Sequence, residues 1–287
     1  MNTRCLSFFL ALAILIILGG CSSQQTFDPS TAPPPPSASD LIARHNARVA
    51  PLDRLWARVS VRAEGKDPRG DKFREQGEGH LQIIRPDRFS LSIGKFDKTY
   101  FALGANAEQY WTMDLSQSEH KLAMVGLQSK ATPEKLNALG IPIHPHEMIT
   151  LLGIVPIDPA IETTSHWSPD GKAYGIEIPA QWGSVALWFD AKTLEVARTQ
   201  AFNENGELIA AAKLWRYKPV SGLDQDEHAF APGVIEVRAV GFDGFVRIEV
   251  SDPRSKAIRS VVFKPANLAK IYRVHETINL DETFAPE

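Results

Sequence analysis

Around Arg85-Pro86-Asp87-Arg88 the chain alternates large apolar and polar side chains in both directions. Leu81 and Ile83 share one face of the run before it, and Phe89, Leu91 and Ile93 share one face of the run after it. Pro86 fixes φ for a turn and Asp87 can bond its own backbone, so the stretch predicts a β-hairpin with one apolar face. That face belongs to a closed core or to the wall of a ligand cavity. The preceding run, residues 55–64, alternates in the same way: Leu55, Ala57, Val59, Val61 and Ala63 against Arg58, Ser60, Arg62 and Glu64. It predicts a half-buried strand.

Further strands are expected at residues 73–76, 100–104, 109–115 and 121–125, an antiparallel meander without a helix. The pattern then changes. Thr132-Pro133 is a helix start, because proline at the first helical position lacks a donor that would have no partner there. A second helix is expected from residue 145 or 146 through Leu152, ended by Gly153, with Met148, Ile149, Leu151 and Leu152 on most of its sides. Strands resume at 163–167, 174–178, 184–189, 194–202, 207–217, 234–240 and 245–250, with Asn205-Gly206 as a tight-turn signal. Last strands are expected at 261–264 and 271–277, with a short helix at 265–270, and an early helix at 41–49 is capped by Ser39 or Asp40. The tally is mainly β, roughly ten or eleven antiparallel strands, and so long a sheet curls by its own twist. Helices between its strands would cover the concave side.

The N-terminal residues follow a different rule. Arg4 precedes an apolar run over residues 6–18, shorter than the roughly 20 residues of a membrane-spanning helix. The run ends in Leu18-Gly19-Gly20-Cys21, an aliphatic residue, two small residues and a thiol, which matches the lipobox of bacterial lipoproteins. Residues 1–20 are therefore read as a signal peptide and Cys21 as the lipidation site. Cys5 leaves with the signal, so no disulfide can form within the mature chain. Residues 21–38, with Pro33 to Pro36 in succession, read as an extended tether, and residues 39–287 as one folded domain. Ser22 after the cysteine, by resemblance to enterobacterial lipoproteins, favours the outer membrane, with the domain facing the periplasm.

Charge and candidate chemistry remove alternatives. The net charge of −3 offers no basic footprint for nucleic acid. No nucleophile elbow, zinc-protease helix motif or phosphate-cradling glycine loop is present. His144 and His146 flank a proline at a helix start without an evident third ligand, and Asp224, Asp226 and Glu227 lack the EF-hand spacing. No metal, cofactor or catalytic residue is assigned, and the chain is read as a non-enzyme.

The ordered set Leu81, Ile83, Arg85-Pro86, Phe89, Phe101, Leu103, Tyr110-Trp111 and Asp114, followed by the apolar helix near Met148 to Leu152 and the Asn205-Gly206 hairpin, resembles the Lol family of bacterial lipoprotein carriers and receptors, LolA, LolB and their LolA-like relatives. The resemblance runs from about Leu55 to Val250. It implies a single half-open antiparallel β-barrel with an inserted helical lid and a hydrophobic cavity for acyl chains of a lipoprotein or lipid. The cavity would be lined by Leu81, Ile83, Phe89, Leu91, Ile93, Phe101, Leu103, Trp111 and Met113 and lidded by Met148, Leu151 and Leu152. Phe96 occupies the position of the family's membrane-contact loop, with packing down onto the protein as the alternative. The chain departs in the longer turn 104–108 and in its surplus length. The implied partners are acyl chains, the membrane through the lipid anchor, and a periplasmic carrier protein. A lipid-anchored scaffold or sensor that binds other envelope proteins is the competing reading.

Overall fold

A computed structural model describes residues 27–66, 69–139, 144 and 147–284. The signal segment and Cys21 lie outside the described residues, as do residues 145 and 146 of the expected second helix.

The chain begins with helix α1 (Ala38–Val49). Its cap is Ser37, whose Oγ accepts from the Asp40 amide at 3.1 Å, rather than the expected Ser39 or Asp40. Six strands follow as a meander: β1 (Arg54–Lys66), β2 (Lys72–Ile84), β3 (Arg88–Lys95), β4 (Lys98–Ala105), β5 (Gln109–Asp114) and β6 (Leu122–Leu127). Two short helices, α2 (Pro133–Ala138) and α3 (Glu147–Thr150), interrupt the strands where the pattern changed. Then come β7 (His166–Trp167), β8 (Ala173–Ala180), β9 (Gly183–Asp190), β10 (Val196–Phe202) and β11 (Leu208–Trp215). A separate small pair, β12 (Lys218–Pro219) and β13 (Phe230–Ala231), precedes the long hairpin of β14 (Val234–Ala239) and β15 (Gly244–Arg254). The chain ends with α4 (Pro265–Tyr272), β16 (Glu276–Asn279) and α5 (Leu280–Thr283).

Among the described residues fourteen strands form one sheet, in the order β16-β6-β5-β4-β3-β2-β1-β15-β14-β11-β10-β9-β8-β7. The count exceeds the expected tally of ten or eleven, and the sheet does not close into a barrel. The join between its two meanders is β1 against β15, where Val59 faces Val250 and Val61 faces Ile248. The pairing of β16 with β6 is parallel, against an all-antiparallel expectation. The expected strand at 261–264 is instead a 3-10 turn (Ser260–Phe263), and α4 takes the start of the expected 271–277 strand.

The two faces of the sheet have different covers. On the inner face, residues of β1 to β3 and of β8 to β11, far apart in strand order, share one hydrophobic cluster with α1 and with Ile149, Leu151, Leu152, Ile154 and Ile157. One cluster can reach both halves only if the sheet curls around α1 and this segment. On the outer face, Trp111, Met113 and Ala123 pack against Phe263 and Leu268. The C-terminal segment thus grips both sides of one sheet end: α4 lies on the outer face, and Leu280 of α5 packs with Tyr110 and Leu136. A buried ion pair, Lys135 Nζ to Asp281 at 2.7 Å, joins α2 to α5.

The described part of the proline-rich segment lies along the short edge strand β7. The Trp167 indole donates to the Pro33 carbonyl at 2.8 Å, and its ring meets Phe27 at 5.1 Å. Proline-rich chain over a two-residue edge strand helps to keep that edge from pairing with another sheet.

Candidate functional site

The inner face of β1 to β4 brings together most of the expected cavity residues. Leu55 pairs with Ile83 and Ala57 with Leu81. Leu81 then faces Leu91, and Ile83 faces Phe89. Leu91 faces Leu103, and Ile93 faces Phe101. Directly paired residues share a face, so Leu81, Ile83, Phe89, Leu91, Ile93, Phe101 and Leu103 form one apolar surface.

Trp111 and Met113 are not on it. Ala105 pairs with Tyr110 and Leu103 with Thr112, which turns Tyr110 and Thr112 inward and Trp111 and Met113 outward. The reason is the turn at residues 106–108, where Asn106 Oδ1 accepts from the Glu108 and Gln109 amides at 2.8 Å and sets the register. β5 is apolar on both faces, so alternation alone did not reveal which way its large side chains point. Both hydroxyls turned inward, on Tyr110 and Thr112, are buried without a hydrogen-bond partner among the described residues.

The lid is α3 and the chain that follows it. Ile149, Leu151, Leu152, Ile154 and Ile157 are buried in the cluster that contains Leu81 and Leu91, and Met148 packs against it half-buried. Leu81 and Ile83 are 1% and 0% exposed, so this end of the apolar face is covered by α1 and the lid rather than open. Toward the β3–β4 tip the cover thins, and Ile93, Phe101 and Leu103 are half-buried.

What holds the lid is a set of side chains bonded to its backbone. Asn46 makes two bonds to one residue: Nδ2 donates to the Ile157 carbonyl at 2.7 Å, and Oδ1 accepts from the Ile157 amide at 2.8 Å. His45 Nε2 lies 2.8 Å from the Val155 carbonyl, and Arg48 Nη2 lies 3.3 Å from Nδ1. Arginine is only a donor, so Nδ1 accepts and Nε2 carries the proton given to Val155. Burial, with Arg48 and Arg85 close by, drives the His45 pKa down to about 4. Arg85 donates to the Ala50 carbonyl at 3.0 Å, pairs with Asp53 at 3.2 Å and reaches the Ile154 carbonyl at 3.5 Å. Thr199 Oγ1 donates to the Leu151 carbonyl at 2.9 Å. The Glu147 carboxylate accepts from the Gln181 amide at 2.6 Å, and burial raises its pKa.

His45 and Asn46 were not singled out from sequence, yet a signal was there. His45 is one helical turn from Leu41 and from Val49, and Asn46 one turn from Ile42, so both are polar groups on the buried stripe of α1. Such groups need partners, and the lid backbone supplies them.

Phe96 stands at the tip of the β3–β4 hairpin, 85% exposed. Phe96 and Asp97 both have positive φ, 51° and 63°, as a two-residue hairpin turn of the primed type requires. The ring is held out from the sheet rather than packed down, with Lys95 and Lys98 beside it. Among the described residues no cluster of His, Cys, Asp and Glu is arranged to hold a metal ion, and His144 instead meets the Trp182 ring edge-on at 4.8 Å.

No protein-family model matches the chain, and a search of curated proteins finds no match. Solved structures do match. A DUF1329 family protein from Desulfovibrio piger superposes with a TM-score of 0.53 at 13% identity, over 80% of this chain and 97% of that one. A LolA superfamily protein from Nitrosomonas europaea gives 0.50 at 12% identity, over 80% and 98%. The fold is LolA-like. A domain from Vibrio parahaemolyticus, described as outer-membrane lipoprotein-sorting, gives 0.52 at 12% identity over 81% and 97%. At these identities the likeness establishes the LolA-like architecture: a long curled sheet with helices set between its strands.

Proposed function

We propose that this protein is a lipid-anchored component of the bacterial envelope that takes acyl chains of a lipoprotein or lipid onto the inner face of its LolA-like sheet. Cys21 carries the anchor, and the domain faces the periplasm from the outer membrane. Acyl chains lie against Leu81, Phe89, Leu91, Ile93, Phe101 and Leu103 after the lid, with Met148, Leu151 and Leu152, moves aside. The Phe96 tip touches the bilayer, and a periplasmic carrier delivers or receives the cargo. No covalent chemistry is required of any residue.

One observation carries this reading. The lid is apolar, yet it is fixed by side-chain bonds from α1, Arg85 and Thr199 and belongs to no strand of the sheet. A sheet-paired cover would be part of the permanent core. This one can leave without breaking a ladder, and it uncovers a continuous apolar surface when it does. Apolar burial at roughly 25 cal/mol per Å² then drives the occupant in.

The test uses a Cys21→Ala chain, which cannot take lipid itself. It is purified without detergent, extracted with organic solvent and analysed by mass spectrometry, and a photoreactive fatty acyl probe is cross-linked to it. Stoichiometric acyl lipid and labelling at β3 and β4 are expected. A lid that opens by hydrogen exchange while no acyl species binds would refute the reading. A stoichiometric protein in place of lipid would favour the scaffold alternative.

A further inference from the structure

The outer face carries a second recess, on the far side of the sheet from the proposed acyl surface. It is a cleft of about 710 Å³ between α4 and the strands β6 and β16. Its floor includes Val125 of β6, which pairs with Trp111 and so faces outward. One wall is α4. Leu268 and Tyr272 turn into the outer core, while Ala266 and Ala269, three residues apart on the neighbouring stripe, and Arg273, the left-handed residue that caps the helix, line the cleft. The short alanine side chains leave the space that larger residues would fill.

The charges at the rim are unequal in what they are free to do. Asp281 is taken by Lys135 Nζ at 2.7 Å and by the Leu127 amide at 2.9 Å. Glu282 accepts from Asn279 Nδ2 at 2.8 Å. Lys130, Lys270 and Arg273 also line the cleft, and none of them is ion-paired among the described residues. With Asp281 neutralised by Lys135, the rim keeps three unpaired cations against the single charge of Glu282, and this net positive rim beside an apolar floor selects for an apolar chain that ends in a negative charge. The volume lies within the roughly 300–1,000 Å³ usual for small-molecule sites.

We infer that this cleft binds an amphiphilic anion, a single alkyl or acyl chain with a carboxylate or phosphate head, with the chain over Val125, Ala266 and Ala269 and the head among Lys130, Lys270 and Arg273. The site is independent of the inner face, because the sheet separates the two. It needs no movement of the lid.

Titration calorimetry on the full Cys21→Ala chain with dodecanoate, dodecyl phosphate, dodecanol and inorganic phosphate tests it. Dodecanoate or dodecyl phosphate, or both, should bind one per chain, and the tighter of the two identifies the head group. Dodecanol and inorganic phosphate should bind at least about tenfold more weakly, since each lacks one half of the recognition. A diazirine-bearing dodecanoate should label α4 and β6. Lys270→Gln with Arg273→Gln, both at exposed positions, should weaken binding about tenfold or more while the melting temperature is unchanged. Ala269→Leu should block the cleft; if that variant fails to fold, the glutamine pair decides alone. Equal binding of dodecanol and dodecanoate, or undiminished binding by the glutamine pair, overturns the assignment. Label confined to β3 and β4 also overturns it while leaving the inner-face reading intact.

Discussion

Asn46→Ala isolates the lid from the rest of the fold. The side chain makes two hydrogen bonds to Ile157, at 2.7 and 2.8 Å, and lies half-buried on α1. Each such bond contributes on the order of 1 kcal/mol net, and truncation leaves the Ile157 amide and carbonyl to find water in a partly covered site. The expected loss is about 2 kcal/mol from the closed lid, which raises the open fraction about 30-fold. Native-state hydrogen exchange reads this directly. The Leu151, Leu152 and Gly153 amides bond within the lid turn, and the Ile157 amide bonds to Asn46 itself. Leu151, Leu152 and Gly153 should exchange about 30-fold faster in the variant. The paired amides of β1 and β2 should not change. Asn46→Asp keeps the acceptor for the Ile157 amide but places a carboxylate against the Ile157 carbonyl, so it should open the lid at least as far. Equal acceleration of lid and sheet would show that the lid is not a separate unit. No acceleration anywhere would show that these bonds do not hold it. Either result removes the basis for a removable cover.

The other expectations concern separate parts of the molecule. His45 has a folded pKa of about 4 against an ordinary value of 6.5, so the unfolded chain binds the proton first on acidification. Stability is therefore fully present above about pH 6.5 and declines as the pH falls toward 4, by up to about 3 kcal/mol; denaturant melts across that range should show the slope, and His45→Gln should flatten it. Lys135→Ala strands a buried carboxylate on Asp281 and should cost about 3–5 kcal/mol, whereas Lys135→Met with Asp281→Leu should recover most of it in thermal melts. Trp111→Ala empties an outer-face core position and should cost about 3–5 kcal/mol without changing acyl-probe affinity at the inner face. Phe96→Asp should shift stability by less than about 0.5 kcal/mol, because the ring is exposed, yet abolish vesicle co-flotation of the Cys21→Ala chain; co-flotation equal to that of the parent would remove the membrane role of the tip.

Strand periodicity made most of the sheet legible. Leu81 and Ile83 alternate cleanly with Gln82 and Ile84, because one face of β2 is buried and the other is partly open to solvent; Phe89 and Leu91 flank the buried Ser90, whose polar side chain kept the alternation readable. Where both faces are buried the signal fails, and β5 is the clear case, since Tyr110, Trp111, Thr112 and Met113 are all buried. Their facing depends on a turn whose register is fixed by the Asn106 side chain, a three-dimensional fact. The parallel pairing of β16 was illegible for a related reason: its partner β6 lies about 150 positions earlier in the chain, and local pattern says nothing of non-local pairing. The lid was readable as an apolar helix near Met148 to Leu152, but its fastening was not, because Asn46 and Ile157 are 111 residues apart.

The balance of forces on the lid bears on where loading would occur. Five lid side chains, Ile149, Leu151, Leu152, Ile154 and Ile157, are buried against the sheet. Moving each to water costs about 1.5–3 kcal/mol, so full opening into solvent would cost on the order of 10 kcal/mol before any hydrogen bond is counted. An acyl chain that replaces the lid covers only the sheet side of the broken contact. The lid's own apolar side still needs an apolar partner, and a bilayer or a second protein can provide one. On the proposed reading, exchange therefore takes place where such a partner is present rather than in free solution. Phe96 projects from the end of the sheet where the cover over Ile93, Phe101 and Leu103 is already thin. An exposed ring beside the least covered part of the inner face places the two requirements of loading, contact with an apolar phase and access to the apolar surface, at one end of the molecule.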